Sequence, residues 1–149
     1  EVTASSIYNN KYPPSNLLVF DKSSNSFATK NLENSWICFD FKNRRISPNY
    51  YQIRSCNGCQ NGWHPKNWII EGSNDNESWE ILDEKVNCEE LNGAKLCSVF
   101  KVDKENLNGF RYIRMRMTGV NWFNQHYLNI NSFEFYGSLE ENMQCDNIK

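Results

Sequence analysis

Three side chains that can hold a metal ion lie close together in one short segment. Cys56 and Cys59 form a Cys-x-x-Cys pair, and His64 follows them. Zinc is held by thiolate sulfur and imidazole nitrogen, but a structural site needs four ligands. The fourth would come from elsewhere, because a second Cys-x-x-Cys is absent. The candidates are His126, Cys88 and Cys97. A Cys56–Cys59 disulfide, or two free thiols, would explain the same spacing without a metal.

A second pair of cysteines flanks a turn signal. Cys88 and Cys97 lie on either side of Asn92-Gly93, a dipeptide that is typical of tight hairpin turns. The two thiols could therefore face each other across a hairpin and form a disulfide. Six cysteines in 149 residues are too few for a disulfide scaffold, so the thiol state of both pairs stays open.

Motifs for catalysis are missing from the sequence. The chain has two histidines, both in predicted loops, and it lacks Gly-x-Ser-x-Gly, P-loop and His-Glu-x-x-His patterns. Adjacent carboxylates such as Glu89 and Glu90 fall in a predicted turn. We therefore expect that this chain is not an enzyme.

The composition favours a single folded domain. Hydrophobic residues make up 39% and aromatic residues 14% of the 149 residues, which is enough for one core. The net charge of −2 lacks the basic excess of a nucleic-acid binder. No apolar run approaches the roughly 18 residues of a membrane span. The chain begins at Glu1 rather than Met, and its compartment is not predicted.

Short β-strands are the elements that must position these side chains. In residues 68–82, two apolar runs flank a cluster of Gly, Ser, Asn and Asp, which predicts a hairpin with Trp68, Ile70 and Trp79 in the core. The other strand-like segments are 2–5, 36–41, 50–55, 96–102, 110–118 and 128–136, and 13–21 could hold one helical turn. Seven or eight short strands favour an all-β sandwich or barrel over residues 1–138, followed by a polar C-terminal tail, 139–149.

An ordered set of motifs runs along these strands. They are Asn16-Leu17-Leu18, Trp36-Ile37-Cys38-Phe39-Asp40-Phe41, Tyr51-Gln52-Ile53-Arg54-Ser55, Trp68-Ile69-Ile70-Glu71-Gly72-Ser73-Asn74-Asp75 with Trp79, Phe110-Arg111-Tyr112-Ile113-Arg114 and Phe133-Glu134-Phe135-Tyr136-Gly137. The set resembles the coagulation-factor C-type, or discoidin, domain of the galactose-binding-like superfamily, with divergent protozoan and intracellular-type members as the closest variant. The resemblance covers roughly residues 2 to 138. It implies a jelly-roll β-sandwich of about eight mainly antiparallel strands, and binding of sugars, lipid head groups or proteins rather than catalysis.

The resemblance implies that loops at one end of the sandwich hold the ligand, and loop 55–66 is one of them. There, Trp63 could stack on a sugar ring. The side chains of Asn57, Gln60 and His64 could hydrogen-bond its hydroxyl groups. The alternative is that Trp63 pins the loop to the sandwich and His64 satisfies a local backbone group.

A neighbouring loop, 119–127, supplies the second group of candidate contacts. Trp122, Asn124 and His126 lie there among aromatic and amide side chains, although an aromatic cover over the core would have the same composition. Arg54 leads directly into the long loop and could reach an anionic ligand. For Arg114 we expect a structural ion pair with a carboxylate such as Asp40 or Glu71.

The resemblance also implies a possible structural calcium ion. Many sugar-binding members use an early Asp and a Glu from the last strand, and Asp21 and Glu134 match those places loosely. Calcium takes six to eight oxygen ligands, several of which the backbone can supply. The usual Asp-Gly-Asp wording is absent, and Glu134 could instead be an outward-facing partner for a Lys or Arg.

These observations predict a non-catalytic binding module that recognises a carbohydrate through loops at one end. The alternative is a protein–protein interaction domain within a larger intracellular protein. Membrane lipid is disfavoured as a ligand, because the candidate loops are rich in amides and poor in lysine.

Overall fold

The computed structural model describes residues 1–19, 25–57, 62–105 and 108–141. Its elements are β1 (Val2–Ala4), a 3₁₀ helix (Pro14–Leu18), β2 (Phe27–Ala28), β3 (Trp36–Asp40), β4 (Arg44–Arg54), β5 (Trp68–Ser73), β6 (Glu80–Lys85), β7 (Cys97–Lys101), β8 (Tyr112–Met117), β9 (Asn129–Ile130) and β10 (Ser132–Glu141). All pairings between these strands are antiparallel. No helix in this part of the chain is long and apolar enough to cross a membrane.

The strands form two main sheets with a core between them. One sheet has the order β1-β3-β8-β5-β6 and the other β10-β4-β7, while β2 and β9 form a small third sheet. Side chains alternate between the two faces of a strand. In β8, Ile113, Met115 and Met117 are buried, and the residues between them are half-exposed. This confirms the all-β sandwich that the sequence predicts.

Two strands are longer than the sequence pattern indicates. β4 begins at Arg44, and β10 continues to Glu141 in the segment predicted as a tail, so that Glu141 pairs with Arg44. Their outer halves pair through the backbone and carry many exposed side chains, which leave no alternating apolar signal. The rest of the predicted tail, residues 142–149, lies outside the described residues.

An ion-pair cluster lies on the outer face of the five-stranded sheet. Arg114 and Arg116 both donate to the buried Glu71 carboxylate, with Nε–Oε1 distances of 2.6 and 2.8 Å. The ion pair predicted for Arg114 is therefore confirmed. Trp79, which the sequence places in the core, is instead half-exposed, and its ring centroid lies 3.9 Å from the Arg114 guanidinium carbon. A cation–π contact of this kind stabilises the tryptophan at the surface. Its predicted placement in the core was therefore wrong.

A buried polar link joins the two main sheets. The Tyr51 hydroxyl, on β4, donates to the Asp83 carboxylate on β6 and accepts a hydrogen bond of 3.2 Å from Trp68 Nε1 on β5. All three side chains are at most 2% exposed. Lys85 Nζ lies 2.9 Å from Asp83 Oδ2 and compensates its charge. Burial and the neighbouring carboxylate raise the pKa of Tyr51 above its ordinary value, which keeps the hydroxyl protonated as the donor.

Replacing Tyr51 by Phe should destabilise the protein. The change leaves the Trp68 N–H without its acceptor and removes one donor from Asp83, and a buried unsatisfied polar group costs about 1–3 kcal/mol. Urea unfolding should show this loss in the free energy of unfolding. Tyr50→Phe is the matched control, because Tyr50 is the adjacent residue and is 43% exposed. Equal stability of the two variants would contradict the importance of the link.

Candidate functional site

Loops from both main sheets meet at one end of the sandwich. The strand register sets the end of β1, the start of β3, the end of β8, the start of β5 and the end of β6 side by side. In the other sheet it sets the end of β4 beside the starts of β7 and β10. The described segments that connect these points are 5–13, 29–35, 55–57, 62–67, 86–96 and 118–128. Both predicted ligand loops therefore lie at the same end.

Four aromatic rings from three of these segments form a cluster. Trp63 stacks on Tyr127, with ring centroids 4.2 Å apart and planes inclined by 18°. Tyr8 makes edge contacts at 5.8–6.0 Å with Tyr127, Tyr12 and Trp63. The stack covers one face of Trp63, in accord with its predicted alternative role of pinning the loop. Tyr8, which the sequence reasoning missed, remains 42% exposed beside it.

Trp122 connects the two predicted ligand loops. Its backbone N–H donates to the His64 carbonyl at 3.2 Å, and its indole N–H donates to the Cys88 carbonyl at 3.0 Å. Lys66 Nζ lies 4.7 Å from the ring centroid. These contacts fix Trp122 between segments 62–67 and 86–96, so that it covers this part of the fold while its side chain stays half-exposed.

Asn121 organises the loop that carries these aromatic residues. The Asn121 side chain accepts hydrogen bonds from the backbone N–H groups of Phe123 and Gln125, at 3.0 and 3.1 Å, and donates to the Tyr127 carbonyl at 3.1 Å. Asn121 is fully buried. The sequence reasoning did not single it out, because nothing in an asparagine-rich loop distinguishes the buried amide from the exposed ones.

The other predicted contacts are more dispersed. The His126 backbone N–H donates to Asn31 Oδ1 at 2.7 Å, and His126 Nε2 lies 4.0 Å from the exposed Glu33 carboxylate. Asn124 is exposed in a turn with φ of 55°. Arg54 ends β4 half-buried between Cys97 and Ser132, and it forms no salt bridge among the described residues. The half-buried Asn57 lies near the start of the long loop, and Gln60 is outside the described part of the chain.

Three buried polar atoms at this end have no hydrogen-bond partner within the described chain. They are Trp63 Nε1, His64 Nδ1 and Gln125 Oε1. His64 is only 3% exposed, and this burial lowers the pKa of its imidazole below the ordinary value. The imidazole is therefore neutral at neutral pH. Orphaned buried groups are costly, and a hydroxyl-bearing ligand can supply both a donor and an acceptor to them.

Comparison with known proteins identifies the family of this sandwich. The family model described as the F5/8 type C domain matches residues 1–135. The chain belongs to the F5/8 type C, or discoidin, family. It is a non-catalytic binding module, as the sequence resemblance implies.

Several known proteins are similar to this discoidin domain. The E3 ubiquitin-protein ligase Ufd4 of Drosophila melanogaster is 27% identical over 126 residues, which are 83% of this chain but 4% of the ligase. The chitosan-binding module 1 of a chitosanase/glucanase from Paenibacillus sp. IK-5 has a TM-score of 0.67 and 20% identity, with 92% and 94% of the two chains covered. A Clostridium perfringens module in complex with GalNAc-β-1,3-galactose has a TM-score of 0.70 and 12% identity, with the same coverage.

The cysteines in the described part of the discoidin domain are not arranged as a zinc site. Cys56 is disulfide-bonded, which leaves no thiolate there for a metal. Its possible partner Cys59 lies outside the described residues. Within those residues, no group of three or more His, Cys, Asp or Glu side chains could hold a metal ion. The zinc hypothesis is therefore wrong for Cys56.

The Cys88–Cys97 disulfide, one of the alternatives that the sequence left open, is absent, since both thiols are free. Cys88 is buried and donates to Glu90 Oε2 at 3.1 Å, whereas Cys97 is exposed at the start of β7. Leu91 between them is fully buried, so segment 86–96 folds into the core and does not form a hairpin. Burial, with Glu90 nearby, raises the pKa of Cys88 to about 11.

The predicted calcium ligands can be followed at one position only. Asp21 lies outside the described residues. Glu134 is half-buried on β10, where Oε2 accepts a hydrogen bond of 2.9 Å from the Tyr136 hydroxyl. Tyr136, rather than the Lys or Arg considered from sequence, is its partner among the described residues. Calcium binding stays a prediction.

Stability should depend on pH through His64. Its folded-state pKa lies below the ordinary value of 6.5, so as the pH falls the unfolded chain takes up the proton first. The stabilising contribution of neutral His64 is therefore present above about pH 6.5 and is lost below it. Unfolding free energies measured from pH 7.5 to 5 should decrease in the wild type and change less in His64→Gln. His126→Gln should retain the wild-type slope, and parallel curves for His64→Gln and wild type would contradict the assignment.

Proposed function

We propose that this discoidin domain binds a carbohydrate at one end of the sandwich, where the rings of Tyr8, Tyr12, Trp63 and Tyr127 form a cluster. The observation that carries the proposal is the aromatic cluster next to the buried, unpartnered Trp63 Nε1 and His64 Nδ1. Binding sites for small ligands combine apolar surface with a few placed polar groups. Sugars match both parts, with C–H faces for the rings and hydroxyl groups for the polar atoms.

The proposed contacts differ from those expected from sequence. Tyr8 is the exposed ring of the cluster, whereas Tyr127 covers one face of Trp63. We assign stacking to Tyr8 and the exposed part of Trp63, and hydrogen bonding to Trp63 Nε1 and neutral His64. The glycan complex of the Clostridium perfringens module and the chitosan-binding name of the Paenibacillus module support a carbohydrate ligand.

A glycan array tests this proposal. On the array, the wild-type protein should bind at least one glycan. Calorimetry with that glycan should show at least tenfold weaker binding for Tyr8→Ala, because the exposed stacking surface is lost. Tyr136→Ala is the matched control. Tyr136 lies on β10 in the three-stranded sheet and is 44% exposed, which matches the 42% exposure of Tyr8. Trp63→Phe keeps a ring in the cluster but removes the indole N–H, and it should weaken binding without unfolding the loop. No glycan signal above that of Tyr8→Ala would contradict the proposal.

The alternative function is protein recognition as one domain of a larger protein. One observation favours it: the matching Drosophila protein is named as a ubiquitin ligase, and this chain spans only 4% of its length. A protein partner whose capture is lost in Tyr8→Ala, together with an empty glycan array, would favour this alternative for the same end of the sandwich.

A further inference from the structure

The three-stranded sheet has an open edge at β7. Its strand order is β10-β4-β7, so β7 has a partner on one side only. Ser55 N–H donates to the Leu96 carbonyl and Val102 N–H donates to the Asn49 carbonyl. Together with the antiparallel register, these bonds show that Ser98 and Phe100 direct their backbone groups toward β4. The backbone N–H and C=O groups of Cys97, Val99 and Lys101 therefore face the open edge.

A cleft of about 600 Å³ runs beside this edge. One wall is the end of β6 and the segment that follows, Lys85–Glu90, and the other is formed by β7 with Asp103. The volume lies in the range of small-ligand sites. Val86 and Val99 are 63% and 55% exposed at its sides. Edges of this kind are usually covered or guarded, but here the cleft leaves space for one more strand.

The cleft carries an excess of negative charge. Glu89, Glu90 and Asp103 line it, and none of them forms a salt bridge among the described residues. The Lys85 ammonium is already paired with the buried Asp83 carboxylate, 2.9 Å away. Among the described lining residues, Lys101 is therefore the remaining cation, and the acidic excess favours an occupant with basic side chains.

We propose that β7 is a docking edge for an extended peptide in which basic and apolar residues alternate. The peptide adds as a further strand beside Cys97, Val99 and Lys101 and bonds through their backbone groups. Because side chains alternate along a strand, its basic residues face Glu89, Glu90 and Asp103, and its apolar residues continue the outer face beside Val99. The cleft shares segment 86–96 with the ligand end of the sandwich, but none of its described lining residues belongs to the Tyr8, Tyr12, Trp63 and Tyr127 cluster proposed for carbohydrate.

The acetylated peptide Lys-Val-Lys-Val-Lys is the probe. Added to ¹⁵N-labelled protein, it should shift the amide resonances of Cys97, Val99 and Lys101, with saturation that gives a dissociation constant. Val99→Pro should weaken binding at least tenfold, because it removes an outward N–H that has no partner among the described residues. Proline is tolerated at such a position of an edge strand. Val99→Thr keeps the N–H and should bind like the wild type.

Two further peptides keep the test independent of how the proline variant folds. The same peptide methylated on its backbone nitrogens should bind at least tenfold more weakly, and so should Glu-Val-Glu-Val-Glu. Equal binding of either peptide, or no shift at β7, would overturn the proposal. Concentration-dependent dimerisation through β7 in sedimentation experiments would also overturn the proposal, because it would identify a second copy of the chain as the occupant. Tyr8→Ala should bind the basic peptide normally, which separates this result from the carbohydrate test.

Discussion

The hydrogen bonds of the Tyr51 hydroxyl fix how the two main sheets face each other. Apolar contacts alone are non-directional and would permit the sheets to slide. The Tyr51 hydroxyl has partners on β5 and β6, and its ring stacks on Phe100 and Phe133 of its own sheet. The link therefore couples one rigid aromatic layer to the opposite sheet. With this relation set, the strand ends that carry the predicted ligand loops come together at one end.

The loops at that end are held by side-chain to backbone hydrogen bonds rather than by regular structure. Asn121 bonds within its own loop, and Asn67 bonds to the backbone of Val120 and Asn87 in the two flanking segments. A buried amide can donate and accept at the same time, so one residue can replace several strand-type bonds. Structural hydrogen bonds of this kind account for part of the high asparagine content of the chain.

The sequence predicted elements better than it predicted contacts. Alternation in residues 112–117 and the turn cluster after Trp68 identified the strands correctly, because burial of one face imposes a period of two. The same local patterns placed Trp79 in the core and allowed a Cys88–Cys97 disulfide across a hairpin. The tertiary structure decided against both, because Arg114 on a neighbouring strand holds Trp79 at the surface and Leu91 is buried between the two cysteines.

The amino-acid sequence by itself determined the all-β class and the family, because these depend on local periodicity and on the order of motifs, and it predicted two loops for ligand binding. Only the tertiary structure decided which side chains meet there. It set Tyr8 against Trp63, which lie far apart in the chain, covered one face of Trp63 with Tyr127, and left the Nδ1 atom of His64 buried without a partner among the described residues. It also left β7 open beside an acidic cleft. Such features depend on pairing between distant segments, for which a single sequence carries no local signal.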